Sequence, residues 1–263
     1  MTFNEKIEAF RKEVWSYYKK HGRDELPWRK TTDPYKILVS EVMLQQTQVS
    51  RVVEKYNSFI KKFPNVRALA KAPLSEVLKE WGGLGYNRRA KHLHDAAVMI
   101  VEEHGGKFPR EYPSLRAIPG VGQYTANAVR VFAFDESEVL VETNVRTAII
   151  HHFLTKRTAV EDFDVEKIAA AAAIEQDPRQ WHSALFDYGA HLKRNGVRTN
   201  AQSAHYVRQS KFEGSLRQIR GAVLRRLQEG KQPLGRSAKL SLALAGLRRD
   251  GLIHQVKGKW RIA

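Results

Sequence analysis

Cysteine is absent from the 263 residues. That single absence excludes disulfides, thiolate-ligated zinc, iron–sulfur clusters and a cysteine nucleophile, leaving carboxylate, lysine and serine chemistry. Acids are scarce too: 28 Asp and Glu stand against 45 Lys and Arg, a formal charge of +17. Such an excess suits a polyanionic partner, since small acidic metabolites alone do not require it. No run approaches the ~20 apolar residues of a membrane span. The first residues, MTFNEKIEAFRKEVWSYYKKHG, carry acids at helical spacing in place of the basic lead and apolar block of a targeting peptide. These features lead us to expect a monomeric cytoplasmic protein, nucleoid-associated if prokaryotic, that meets nucleic acid and not a membrane.

Alternating strand patterns are also rare, whereas apolar residues recur every three or four positions: Ile7, Phe10, Val14 and Tyr17, then Leu38 and Val42, then Val52, Tyr56 and Phe59. Asp33-Pro34 reads as a helix start, because Asp caps free backbone N–H groups and Pro lacks one of those donors. The helix it opens is expected to run to about Phe63. Further helices fit 74–81, 87–104, 123–134, 144–154, 165–176 and 179–191, so the body is all-α. Composition shifts near Gly214: from there to Ala263 stand twelve Lys or Arg and two acids, more than half of the excess charge. Helices over 215–228 and 237–250, then a small hairpin over 252–262, predict a winged-helix-like DNA-contacting module at 214–263 beside a body at 1–213. A solvated basic tail packed on the body is the plainer alternative.

Between two apolar helices lies Ile118-Pro-Gly-Val-Gly-Gln-Tyr-Thr-Ala126. Gly120 and Gly122 let the backbone turn tightly and approach a ligand. With Pro119 and Val121 they lead into a helix N-terminus, where unpaired N–H groups and the helix dipole favour a phosphate. Main-chain contacts of this kind position DNA without reading its sequence. The string resembles the helix-hairpin-helix element of the base-excision DNA glycosylases. SEVMLQQTQV (40–49), GLGYNRRA (83–90), GGKFP (105–109) and LPW (26–28) extend the resemblance, in order, to the adenine-DNA glycosylase branch. It spans roughly residues 26–209 and implies a two-lobed helical fold with the extruded base held in a cleft, and double-stranded DNA carrying a mispaired or damaged base as partner.

A base stacked in a duplex cannot be reached, so a glycosylase extrudes the nucleotide and fills the gap. Tyr86 and Gln46 match the positions that wedge into or touch the disturbed stack. Breaking the N-glycosidic bond calls for an acid to protonate the leaving base and an anion beside the positive charge growing on the sugar. Glu41 sits between Val39 and Val42 in the motif matching the catalytic glutamate; facing a desolvated pocket, its carboxyl is expected above the reference value of ~4.3 and suits a general acid. A glutamate on a solvent face is the alternative. In VETNVR (141–146), Glu142 stands where the family pattern has Asp and is the candidate anion, unless it merely caps the helix beginning at Asn144. Asn144 is expected to orient a neighbour or the substrate.

Tyr124 occupies the position of a nucleophilic lysine in the bifunctional endonuclease III relatives. A phenol forms no Schiff base, so the resemblance implies a monofunctional enzyme, with Tyr124 bonded to Glu41 or the deoxyribose. Many relatives end the body in a loop of four cysteines, Cys-x6-Cys-x2-Cys-x5-Cys, around a four-iron cluster. Those positions are Lys193, Asn200, Ser203 and Gln209 here. No cluster is expected, and Lys193, Arg194, Arg198 and Arg208 are candidates to hold DNA by charge. A basic segment of fifty residues is also not expected to form the large C-terminal domain that senses 8-oxoguanine in most adenine-DNA glycosylases. His151, His152 and His182 lack the carboxylates of a metal site and read as structural; a monovalent cation on the hairpin carbonyls stays open. The expected activity is excision of adenine. Thymine, uracil or hypoxanthine excision is the first alternative, and non-catalytic binding of damaged DNA the second.

Overall fold

A computed structural model describes residues 1–204, 206 and 211–263; Arg208 and Gln209 therefore lie outside the described residues. The chain forms two compact units, 1–37 with 122–208 and 38–121 with 209–263. It is mostly helical, and among the described residues the β structure is one antiparallel hairpin, β1 (Ile253–Val256) with β2 (Lys259–Ile262), plus an isolated bridge. None of the described helices is long and apolar enough to cross a membrane.

The first unit is built on α1 (Phe3–His21), whose Ile7, Phe10 and Val14 pack against α9 (Thr143–Phe153), α10 (Asp162–Ala173) and α11 (Pro178–Arg194) around Trp181. Thr2 and Glu5 close a reciprocal cap at the start of α1. Asp187 is 1% exposed on α11 and is gripped by the Arg29 fork (2.7 and 2.8 Å) and by Arg23 Nε (2.7 Å). Burial alone pushes its carboxyl up; the Arg29 and Arg23 contacts outweigh that and hold it below the ordinary value. These ties fix the Leu26–Trp28 turn on the unit. Helix α8 (Gln123–Phe134) completes it, with Ala128 and Val131 packed beside Leu140.

The second unit packs α3 (Val49–Lys62), α4 (Val66–Lys71), α5 (Leu74–Glu80) and α6 (Arg88–His104) through Tyr56, Phe59, Leu69, Trp81 and Ile100. Short α7 (Tyr112–Ala117) follows. Helix α2 (Pro34–Leu44) enters this unit at Leu38 and starts as its sequence predicts, with Asp33 Oδ1 accepting from the Tyr35 N–H at 2.9 Å. It does not continue to Phe63. The helix stops at Leu44, Gln46 takes a left-handed φ of 55°, and α3 begins anew at Val49.

The C-terminal elements, α12 (Leu216–Gln228), α13 (Ala238–Arg249) and the hairpin, follow the predicted helix–helix–hairpin order. Val223, Leu224, Leu240, Ala243, Leu247, Leu252 and Ile253 are buried. The expected division at Gly214 is not where the compact units part: these elements group with 38–121.

Candidate active site

Helix α2 has no solvent face where Glu41 lies. Ile37, Leu38, Val39, Ser40, Val42 and Met43 are all buried, and Glu41 itself is only 8% exposed. A helix apolar on every side is one enclosed by protein, so a carboxyl placed in its middle needs a reason other than solvation. The exposed-glutamate alternative is thereby removed.

What terminates α2 is Arg89, from the first turn of α6. Its Nη1 donates to the carbonyls of Val42 (2.7 Å), Met43 (3.0 Å) and Gln45 (2.6 Å). The last carbonyls of a helix lack partners within it, and here a guanidinium supplies them. Its Nη2 reaches Thr47 Oγ1 (3.1 Å), Leu84 O (3.3 Å) and Gly85 O (3.2 Å), and the group also lies over the rings of Trp81 (5.3 Å) and Tyr86 (5.5 Å). Burial lowers its pKa to about 10, so it stays charged at neutral pH. One side chain thus joins the turn bearing Gln46, which is exposed, to the loop bearing Tyr86, which is half-buried at a left-handed φ of 46°. Bulky residues seldom occupy that region unless their surroundings impose it. Arg89 lies inside GLGYNRRA, yet nothing in the string distinguishes the arginine that turns inward from its neighbour Arg88.

In the first unit the structure brings Glu142, Asn144 and Lys193 together. Glu142 caps α9, its Oε1 accepting from the N–H groups of Asn144 (2.8 Å) and Val145 (3.2 Å). The capping alternative is therefore realised, through one carboxylate oxygen. Burial raises the Glu142 pKa; the two backbone donors, then Lys193 and Arg146, pull against it without cancelling it. Lys193 Nζ donates to Asn144 Oδ1 at 3.2 Å, which fixes the amide's orientation. The ammonium expected to meet DNA thus lies beside the carboxylate, while Arg194 is exposed and bonds the Tyr17 hydroxyl (3.1 Å).

Close approach of α9 and α11 holds this group. A Cβ on Gly189 would stand 2.1 Å from the Asn144 carbonyl oxygen, so only glycine fits one turn before Lys193. Sequence reasoning passed over Gly189, although glycine inside a helix, costing ~1 kcal/mol against alanine, signals such an approach. Tyr124, in the first turn of α8, is half-buried against Ala128, Val131 and Leu140. His182 is structural: buried, it accepts from the Leu140 N–H (3.1 Å), pairs with Pro178 O (2.7 Å), and burial lowers its pKa to about 4.

Between α7 and α8 the hairpin turns on Gly120, whose φ is 76° and where a Cβ would meet His92 Cβ at 2.6 Å. Val121 is buried, its N–H donates to Ile118 O (3.1 Å) and its carbonyl accepts from Arg116 (2.9 Å), so both of its main-chain groups are already engaged within the turn. Gly122 caps α8 at an ordinary φ of −78° with no side-chain acceptor; its backbone needs no glycine. Pro119 is half-buried, whereas Gly120, Gly122 and Gln123 are exposed.

The side chains at 193, 200 and 203 are an amine, an amide and a hydroxyl and do not fit an iron–sulfur cluster. Hydrogen bonds hold the segment instead: Val160 N–H to Gln202 O and Ala204 N–H to Val160 O, both 2.9 Å, and Thr199 Oγ1 to Thr147 O, 3.0 Å. Among the described residues no group of three or more His, Asp or Glu could hold a metal ion.

The second unit thus holds a buried carboxyl on a clamped helix, and the first a helix-capping carboxyl beside an amide and an ammonium. Residues 39–171 match the description "HhH-GPD superfamily base excision DNA repair protein", and the chain belongs to this family. It is 36% identical to the adenine DNA glycosylase of Mycolicibacterium smegmatis across 95% of each chain. It is 43% identical to that of Rattus norvegicus over 53% of this chain, but spans 28% of the rat protein; it spans 52% of a Buchnera aphidicola relative that is 33% identical. Among solved structures, a thermostable thymine-DNA glycosylase superposes with a TM-score of 0.64 at 26% identity, covering 77% of this chain and 97% of that one. A trapped endonuclease III–DNA intermediate, at 21% identity and a TM-score of 0.59, shares the fold over 74% of this chain and 87% of that one.

Proposed function

We propose that this DNA glycosylase is monofunctional and hydrolyses the N-glycosidic bond of an adenine extruded from a mispair in duplex DNA. The observation that carries the reading is the burial of Glu41 within the residues matched to the family, on a helix whose end Arg89 holds. Glu41 is assigned to protonating the leaving base. Glu142 supplies the negative charge beside the oxocarbenium-like sugar, its longer side chain held by the α9 cap, and Asn144 with Lys193 orients that carboxylate's surroundings. Tyr124, lacking an amine, cannot form a Schiff base with the sugar. Tyr86 and Gln46 fill or touch the gap left by extrusion, and the Pro119–Gly122 turn takes a backbone phosphate. Side chains alone supply the acid and the anion, so the reading needs no cofactor; a monovalent cation on the hairpin carbonyls would share the Val121 oxygen with Arg116. The enzyme is proposed to act as a monomer.

Duplexes each containing one of adenine, thymine, uracil or hypoxanthine in a mispair test this, with alkaline cleavage revealing abasic sites. Adenine duplexes are expected to give product, and borohydride to trap no protein–DNA adduct. Product only from the other duplexes would overturn the base assignment, and a trapped adduct would overturn the monofunctional mechanism.

A further inference from the structure

The C-terminal segment touches the loop that carries Tyr86. Arg217, in the first turn of α12, donates from Nη1 to the Tyr86 hydroxyl. Its guanidinium carbon lies 5.1 Å from the centre of the Tyr86 ring and 5.4 Å from that of Phe212. Further contacts reach the same end of α6. Asp250, just past α13, pairs with Arg220 of α12 and stands 3.9 Å from Arg88, while a Cβ on Gly251 would be 2.9 Å from Lys91 Cε. The long Arg88 contact is exposed and contributes little by itself. Its value is in showing that α12 and α13 are both seated beside the Tyr86 loop.

We propose that Arg217 is a positioning residue for Tyr86, through which the C-terminal segment orients the ring that fills the gap left by the extruded base. The inference rests on the assignment of Tyr86 as that wedge. A guanidinium is suited to the task because it is planar: it stacks on an aromatic face while donating from its edge, which an ammonium does not do. Ordering the ring before DNA arrives removes that ordering cost from the extrusion step. A basic side chain that merely attracted phosphate would act differently, strengthening the encounter with any duplex in a salt-dependent way. The two roles are therefore separable by replacing the guanidinium with another cation.

The test measures single-turnover base release, and the fluorescence of 2-aminopurine placed beside the target adenine, for the wild-type full chain, Arg217→Lys, Arg217→Ala, Tyr86→Phe and Arg217→Ala with Tyr86→Phe. DNA affinity, its salt dependence and thermal melting are recorded on the same proteins. Both Arg217 variants are expected to slow extrusion and release about five- to tenfold, with Arg217→Lys keeping wild-type affinity and salt slope. In the Tyr86→Phe background the effect of Arg217→Ala should shrink, because the two side chains share one interaction. Full activity of Arg217→Lys, or a slowing matched by weaker affinity or impaired folding, would overturn the inference. Wild-type release with unaffected Arg217 variants overturns it while leaving the proposed function intact. No release by the wild type from any duplex overturns the proposed function and this inference with it.

Discussion

At the scale of single residues, the two carboxyls show how far a sequence can specify chemistry. Glu41 was legible because a charged residue sits in an otherwise apolar stretch matching a known motif, and its burial agrees with that pattern. Glu142 was ambiguous between catalyst and cap; the structure makes it a cap through Oε1 while enclosing the carboxyl enough to raise its pKa. A raised carboxyl has a definite thermodynamic sign. Its ionised form opposes folding, an effect absent below the ordinary carboxyl range, near ~4.3, and growing as pH rises through the folded-state value. Glu142→Gln keeps an oxygen for the Asn144 and Val145 N–H groups and removes the charge. It should melt above the wild type at neutral pH, with the advantage vanishing in acid, and should slow base release about 100- to 1,000-fold. Melting curves across pH with single-turnover assays check both; a variant less stable than the wild type at neutral pH would show that the charge favours the fold.

At the scale of elements, local punctuation was readable and long-range caps were not. Asp33-Pro34 starts α2 as expected, while Ser215 and Ser237, expected as the first residues of their helices, instead cap α12 and α13, a shift of one residue. The end of α2 had no such mark. Apolar spacing continues through Val52, Tyr56 and Phe59, and the side chain that closes the helix comes from forty-odd residues away. Lysine cannot span the six acceptors Arg89 serves, since it lacks the planar fork. Arg89→Lys should therefore cost about 1–3 kcal/mol or more of stability and loosen the Gln46 and Tyr86 loops together. Denaturant unfolding with hydrogen exchange at 44–48 and 83–87 measures this, and unchanged protection at both loops would contradict the role given to Arg89.

At the scale of the whole molecule, the charge excess followed from composition and the helical character from apolar spacing, whereas the grouping of distant segments followed from neither. The basic C-terminal segment shows why: its charge and helix–helix–hairpin order are local properties, but its packing with 38–121 depends on pairings such as Arg217 with Tyr86 that no spacing rule encodes. Lys239, Lys257, Lys259 and Arg261 are exposed. Neutralising all four to glutamine should weaken DNA binding and reduce the slope of log affinity against log salt by about 0.9 for each phosphate that is no longer neutralised; an unchanged slope would free the segment of any role in holding DNA. The central claim is that one enclosed carboxyl protonates the departing base. Its most direct test compares single-turnover adenine release by the wild type and Glu41→Gln on one mispaired duplex, alongside the affinity of each for that duplex. Release about 100- to 10,000-fold slower with affinity retained is the predicted result; Glu41→Gln releasing adenine at the wild-type rate would contradict it.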